Sequence, residues 1–282
     1  MGGTRVKASM LDDVDLPSGV LWSIAVGSPW HPDVQHDGER VCATASIGKT
    51  LLLLTVAEQV STGRLDPTQP LTRLAAEPVA DSGLWQHLQT EDLSLHDTCV
   101  LVGSVSDNLA TNVLVDLVGL DAVARTARTL GLTDTALWDV VRNDRGPQHP
   151  PALSTGNALE LHRVCSELAE PRTFAPEVTA RVTGWLTLDT DTSMVAGAFG
   201  LDPLAHVDED RGFALWHKTG TNVGVRCDVG VVTYASRQVA WAVLANWQVT
   251  DPVDPIRDDV LSTMQEIGRA IRRELEGPES CV

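Results

Sequence analysis

Strand patterns stand at the two ends of this chain and helical patterns fill its middle, an order that few architectures can bury completely. Residues 19–26 (GVLWSIAV) are rich in β-branched and aromatic side chains. A Gly/Pro/His-rich turn then leads to a second short strand near 34–41, so the pair reads as a hairpin. From Ala43 the period becomes helical. The stretch SIGKTLLLLTVAEQVSTG is apolar nearly all round its first half and stops at Gly63, a residue suited to ending a helix, so it predicts a buried helix. Residues 65–95 are interrupted by Pro67, Pro70 and Pro78 and read as loops with short helical turns. Helical patterns return in DNLATNVLVDLVG, LDAVARTARTLG and TGNALELHRVCSELAE. Strands resume at 213–220, 226–235 and 238–247, with connections short enough for antiparallel neighbours, and an amphipathic helix over about 255–275 closes the chain. The expectation is an α/β plus all-α fold. Residues 1–42 and 195–282 supply an antiparallel sheet flanked by helices, and residues 43–194 form an inserted helical lobe, the two making one working unit.

Composition narrows the function. With 282 residues and 43% hydrophobic content the chain can bury a large core, which excludes a disordered or fibrous protein. A formal net charge of −17 repels phosphate backbones and anionic membrane surfaces, so no nucleic-acid or membrane partner is expected. The one basic cluster, Arg269, Arg272 and Arg273, is interleaved with Glu274 and Glu276 and suits the end of a helix. An anionic substrate would need a site that is locally positive against this field. No stretch is long and apolar enough to span a membrane, and the N-terminus carries Arg5 and Lys7 without an apolar run, so the reading is cytoplasmic, or secreted if a leader has been trimmed. The five cysteines (Cys42, Cys99, Cys165, Cys227, Cys281) show no C-x-x-C and no neighbouring His pair. They read as buried apolar residues in a reducing compartment, and no metal or cofactor is expected.

Three short motifs follow one another: Ser46-Ile47-Gly48-Lys49, Ser106-Asp107-Asn108 and Lys218-Thr219-Gly220. Taken singly each is weak, since S-x-x-K is more often a capping serine beside a surface lysine. Context sharpens the first. Ser46 falls at the opening turn of the apolar helix, where unpaired backbone N–H groups and the dipole favour a developing alkoxide. Lys49 shares its face and, at the start of a buried helix, would be desolvated, which lowers an ammonium pKa toward the range of a working base.

In this order, with 60 residues from Ser46 to Ser106 and 112 from Ser106 to Lys218, the motifs resemble the class A β-lactamase and penicillin-binding-protein-like serine hydrolase family over roughly residues 20–273. A class C-type enzyme would want Tyr-x-Asn at the second motif, and the chain's tyrosine, Tyr234, lies in a late strand. The resemblance implies a β-lactamase/transpeptidase-like fold with Ser46 as nucleophile, Lys49 or a water taking its proton, and Ser106 relaying a proton to the leaving nitrogen. It further implies that Lys218 holds Ser106 and adds positive field, that Asn108 bonds the substrate's side-chain amide, and that the N–H groups of Ser46 and Thr221 form the oxyanion hole. Thr219, Gly220 and Thr221 line the substrate. Thr219 and Thr221, with Arg226, are the candidates for a substrate carboxylate, an ion pair of Arg226 with Asp228 being the alternative. Asn112 would brace the neighbouring loop. Cys99 sits where many class A enzymes carry half of a disulfide, but its partner position is Leu53, so that bridge is absent.

The chain departs from the family in one place. Class A enzymes carry a Glu-x-x-Leu-Asn loop whose glutamate activates the deacylating water. Residues 130–154 here read LGLTDTALWDVVRNDRGPQHPPALS, several residues short, with Val141 near the glutamate's place. Asp139 and Asp144 are the carboxylates that could substitute, against ordinary solvation or ion pairs with Arg142 or Arg145. His217 points away from Lys218 by strand alternation and reads as core. Trp85 lies where the family often has an aromatic gate, a core role being the alternative. The expected function is acyl transfer from a β-lactam, amide or ester through acyl-Ser46, with slow deacylation and a small, carboxylate-bearing substrate. The alternatives are a non-hydrolytic penicillin-binding or ligand-sequestering module, or a cytosolic amidase or acyltransferase of specialised metabolism.

Overall fold

The computed structural model describes residues 10–277. The N-terminal leader question and Cys281 lie outside them. Five antiparallel strands form the main sheet in the order β2-β1-β10-β9-β8, built from β1 (Val20–Ser28), β2 (His31–His36), β8 (Phe213–Asn222), β9 (Val225–Tyr234) and β10 (Arg237–Trp247). Both ends of the chain therefore feed one sheet. Between them run α1 (Lys49–Ser61), α2 (Leu95–Val105), α3 (Asn108–Val118), α4 (Leu120–Thr129), α5 (Ala158–Ala169) and α6 (Pro176–Leu186), and α7 (Pro255–Glu276) closes the chain.

Period-2 alternation sorts the sheet's two faces. On β10, Val239, Trp241, Val243 and Ala245 join Trp22, Ile24 and Val26 of β1 in the core under α7. The intervening Ala240, Ala242 and Leu244 join Ala25 and face α5. Gly230 of β9 is required by this packing, because a Cβ there would lie 2.6 Å from the His217 Cβ and 2.7 Å from the Trp241 ring. A separate core fills the helical lobe, where Leu51, Leu52, Leu53 and Leu54 of α1 are all buried, as a helix apolar on every side must be.

Several local expectations are corrected. The second strand lies at His31–His36 and not at 34–41, because Arg40 turns back to Asp37 and ends the hairpin arm early. The helix expected from Ala43 begins at Lys49. Ala45–Gly48 form a 3-10 turn, and Cys42–Ala43 (β3) pair with Ser154–Gly156 (β7), which also pairs with β6 (Ala136–Leu137). In 65–95 a two-strand ladder of β4 (Pro70–Thr72) and β5 (Asp92–Ser94) accompanies the short turns. Trp85 is fully buried in the helical core, so it is no gate. No described helix is long and apolar enough to cross a membrane.

Leu53 tests the helical core directly. Leu53→Ala should cost about 2–5 kcal/mol of unfolding free energy in a denaturant titration, the range for a truncated leucine whose surroundings cannot collapse. A loss below about 1 kcal/mol would show that α1 is loosely packed.

Candidate active site

Close approach of backbone to backbone places Ser46. The Asn246 side chain of β10 takes the Ala43 N–H at 2.8 Å and returns a bond to the Ala43 carbonyl at 2.9 Å. Ser154 meets Thr44 Oγ1 at 2.7 Å and also donates to the Ala45 carbonyl. The 3-10 turn that follows presses against β8 at Gly220, where a Cβ would stand 2.3 Å from the Thr44 carbonyl oxygen and 3.0 Å from Ile47. Gly48 is needed for the same reason, since its Cβ would reach Ser154 at 2.5 Å. Ser46 is left half-buried, lining a cavity of about 690 Å³ and a smaller pocket of about 180 Å³.

The second motif is a tight helix-to-helix joint. Ser106 caps α2 with a left-handed backbone (φ 54°), and Asp107 caps α3 by accepting from the Ala110 N–H at 2.9 Å. The other Asp107 oxygen accepts from the Leu84 and Trp85 N–H groups at 2.7 and 2.9 Å, drawing the 80s loop over the joint. Gly83 makes that possible, because a Cβ there would lie 2.5 Å from the Asp107 carboxyl carbon. Ala45, Asp81 and Ser106, all non-glycine residues at positive φ, flank the two cavities, the concentration of backbone strain that functional sites show.

Lys49 ties the first motif to the second. Its ammonium, with 0% exposure, donates to the Ser106 carbonyl at 2.6 Å, to Ser106 Oγ at 3.1 Å and to Asn108 Oδ1 at 2.8 Å. Burial, and then the neighbouring Lys218, hold its pKa well below the ordinary ammonium range, with Asp107 and Asp189 opposing. Lys218 is equally buried. Its ammonium contacts Asp189 Oδ2 at 3.5 Å and the Thr219 carbonyl at 3.0 Å. Ser106 is thus held by Lys49, and Lys218 by Asp189, where the resemblance gave Ser106 to Lys218. The chain's lysines are Lys7, Lys49 and Lys218, so two of them are spent here.

Arg226 is half-buried on β9 and donates to the Asn222 and Val225 carbonyls at 2.9 and 2.8 Å. It makes no pair with Asp228, which is buried behind the sheet with His217 and accepts from Trp241 Nε1 at 3.1 Å. Burial lowers the His217 pKa, but the Asp228 and Asp189 carboxylates outweigh it and raise it overall. Arg142, Arg145, Arg226 and Arg257 line the larger cavity with Asp81 and Asp254, and Asp139 pairs with Arg142 and Arg145 and Asp258 with Arg257, which leaves Arg226 without a carboxylate partner among the described residues.

The 139–145 loop is fixed by its own polar groups. Asn112 bonds both the Val141 carbonyl (2.9 Å) and the Val141 N–H (2.7 Å), the bracing role expected of it. Asp139 is buried and receives Arg142 at 2.8 and 2.9 Å and Arg145 at 2.7 Å, so it serves as an anchor. Burial opposes ionisation of Asp139, but the hydrogen bonds from Arg142 and Arg145 prevail and lower its pKa. Asp144 is exposed and lines a different cavity of about 760 Å³, which shares Val141, Arg142 and Asn143 with the Ser46 cavity. The sequence reading missed Asp189 and Asp191, which lie after α6 and carry no motif. Among the described residues Cys99 is free and buried.

The profile of the Beta-lactamase enzyme family matches residues 24–275. A β-lactamase from Sphaerobacter thermophilus superposes with a TM-score of 0.78 at 26% identity, covering 93% of this chain and 94% of that one. A β-lactamase from Xanthomonas campestris pv. campestris gives 0.74 at 19% identity over 96% of each. An acyl-enzyme complex of a PBP-A variant with penicillin G gives 0.74 at 18% identity, covering 98% and 99%. These likenesses establish a β-lactamase/transpeptidase-like fold. No curated protein sequence matches the chain.

Gly220→Ala should push the 3-10 turn off β8 and cut fluorophosphonate labelling of Ser46 at least about tenfold, with a stability cost of about 1–3 kcal/mol for overpacking. Gly184→Ala, where nothing lies within 4 Å, serves as the control and should leave labelling unchanged. Full labelling of the Gly220 variant would show that the turn has room to spare.

Proposed function

The chain belongs to the Beta-lactamase enzyme family, and on that footing we propose that it is a serine acyl-transfer hydrolase whose Ser46 is acylated by a β-lactam, amide or ester and released slowly. The observation that carries this reading is the buried Lys49 ammonium, which binds Ser106 and Asn108 within one turn of Ser46. A lysine with a lowered pKa is available as a base. It takes the Ser46 proton as Oγ attacks the carbonyl carbon, and Ser106, already bonded to Lys49, passes a proton to the leaving nitrogen or oxygen. The Thr219 N–H points off the free edge of the sheet toward Asp189 at 3.4 Å. By strand alternation the Thr221 N–H points off the same edge, toward Ser46, and supports its assignment to the oxyanion hole.

Slow release follows from the loop. Its residues against the Ser46 cavity are Val141, Arg142, Asn143 and Arg145, none of them a carboxylate. Asp139 is saturated by two guanidinium groups and Asp144 faces elsewhere. Of the carboxylates that line the large cavity, Asp254 is engaged by Trp247 Nε1 at 2.8 Å and Asp81 sits on the exposed rim. Asp189 and Asp191 line the smaller pocket but are engaged by Lys218 and by Ser193, so without a base aimed at its water the acyl-enzyme should accumulate.

Ser46→Ala should abolish the mass adduct formed with a β-lactam while the fold survives. Lys49→Ala should slow acylation on the order of 10²-fold or more. In the parent protein the acylation rate should rise with pH as Lys49 loses its proton and level off well below the ordinary ammonium range. A rate still climbing through that range would remove Lys49 from the base role.

Turnover of a β-lactam should show a burst of about one product per enzyme and then a phase roughly 10²–10⁴-fold slower, the range for a step that lacks its general base. Efficient steady turnover that collapses in Asp81→Asn, Asp139→Asn or Asp144→Asn would identify a substitute for the missing glutamate.

A further inference from the structure

The small pocket beside Ser46 and Ser106 already contains a carboxylate. Asp191 lines it together with Asp189, Thr219 and Thr221. The Asp191 Oδ1 accepts from the Ser193 hydroxyl at 2.6 Å and from the Ser193 N–H at 3.2 Å. Burial works against ionisation of Asp191, but these bonds prevail and keep its pKa low. Two of the groups that could receive a substrate carboxylate are occupied. Lys218 faces Asp189, and the Thr219 N–H is given to Asp189. Arg226 is turned to the Asn222 and Val225 carbonyls, and burial and the Arg257 charge lower its pKa against the opposing pull of Asp191 and Asp254.

We propose that Asp191 sets leaving-group specificity, so that the pocket around Ser106 takes an uncharged or cationic leaving group and disfavours one that bears a carboxylate. The proposal rests on acylation of Ser46, and it differs from the expectation of a carboxylate held at Thr219 and Thr221. In that step the Ser46 Oγ–carbonyl bond forms and the bond from the carbonyl carbon to the leaving nitrogen or oxygen breaks. The proton lost by Ser46 ends on the departing atom through Ser106. The departing group is therefore the part of the substrate that lies against Asp191, whereas the acyl part lies toward Asn108 and the arginine-lined cavity. A carboxylate brought to Asp191 meets a like charge in a partly desolvated pocket and finds Lys218 and the Thr219 N–H already engaged by Asp189. An ammonium or a neutral hydrogen-bond donor meets an acceptor.

Benzylpenicillin and its methyl ester differ in charge only at the group attached beside the departing nitrogen, and they provide the test. Acylation rates of Ser46 are read by intact mass for the parent and for Asp191→Asn, which keeps a hydrogen-bonding amide in place. The parent should react at least about tenfold faster with the ester than with the free acid, and Asp191→Asn should narrow that ratio at least about tenfold by speeding the acid. Equal rates in the parent, or a ratio that does not move in the variant, would overturn the proposal alone. No Ser46 adduct from either compound would overturn the acylation reading and this proposal with it.

Discussion

Lys49 is an ammonium with no access to water, and the order of the site follows from the need to satisfy it. Transferring an ion of this size to a protein interior costs several kcal/mol even after relaxation, and only well-aimed acceptors offset that. Lys49 has three, the Ser106 carbonyl and hydroxyl and Asn108 Oδ1, all from the joint between α2 and α3. The left-handed backbone of Ser106 directs its carbonyl and its side chain at the same ammonium, which accounts for a strained residue at a helix end where glycine would be easier. The Ser46 turn, the joint and the loop are then one connected unit.

The sheet makes the complementary contribution by coming close. Its edge strand β8 meets the Ser46 turn at Gly220, and Asn246 and Ser154 fix the turn from two other sides. Small residues on the α5 face of the sheet and large ones under α7 set the same asymmetry along β1 and β10. Backbone groups of the edge that lack a strand partner are free for other use, and Thr219 spends one on Asp189. The edge is tolerable because function and the helical lobe cover it.

Much of this was legible in the sequence wherever the information was local. Alternation located β8, β9 and β10 to within a few residues, and an all-apolar helix starting beside a lysine announced that the lysine was buried. Asn112 was legible through the resemblance to class A enzymes. Failures came where long-range packing chooses. Trp85 reads equally as gate or core until Asp107 draws the loop inward. The second hairpin strand ends early because Arg40 pairs locally with Asp37. Lys218 has its counter-charge in Asp189, which follows a helix and belongs to no motif, so no local pattern could pair them. Asp139, by contrast, found Arg142 three residues away, a partnership that spacing alone offers.

The shortened loop is best understood as a finished element, not as a damaged one. A vestigial segment would leave its backbone groups to solvent, but here both polar groups of Val141 are taken by Asn112, and Asp139 gathers Arg142 and Arg145 from beneath. These bonds hold Val141, Arg142 and Arg145 along the Ser46 cavity with both guanidinium groups bonded to Asp139. A rigid loop of this kind cannot swing Asp144 inward without breaking the Asn112 pair, whose loss would leave desolvated groups unpaired at about 1–3 kcal/mol each. The bonds that stabilise the loop are therefore the same ones that keep a carboxylate of this segment out of the Ser46 cavity.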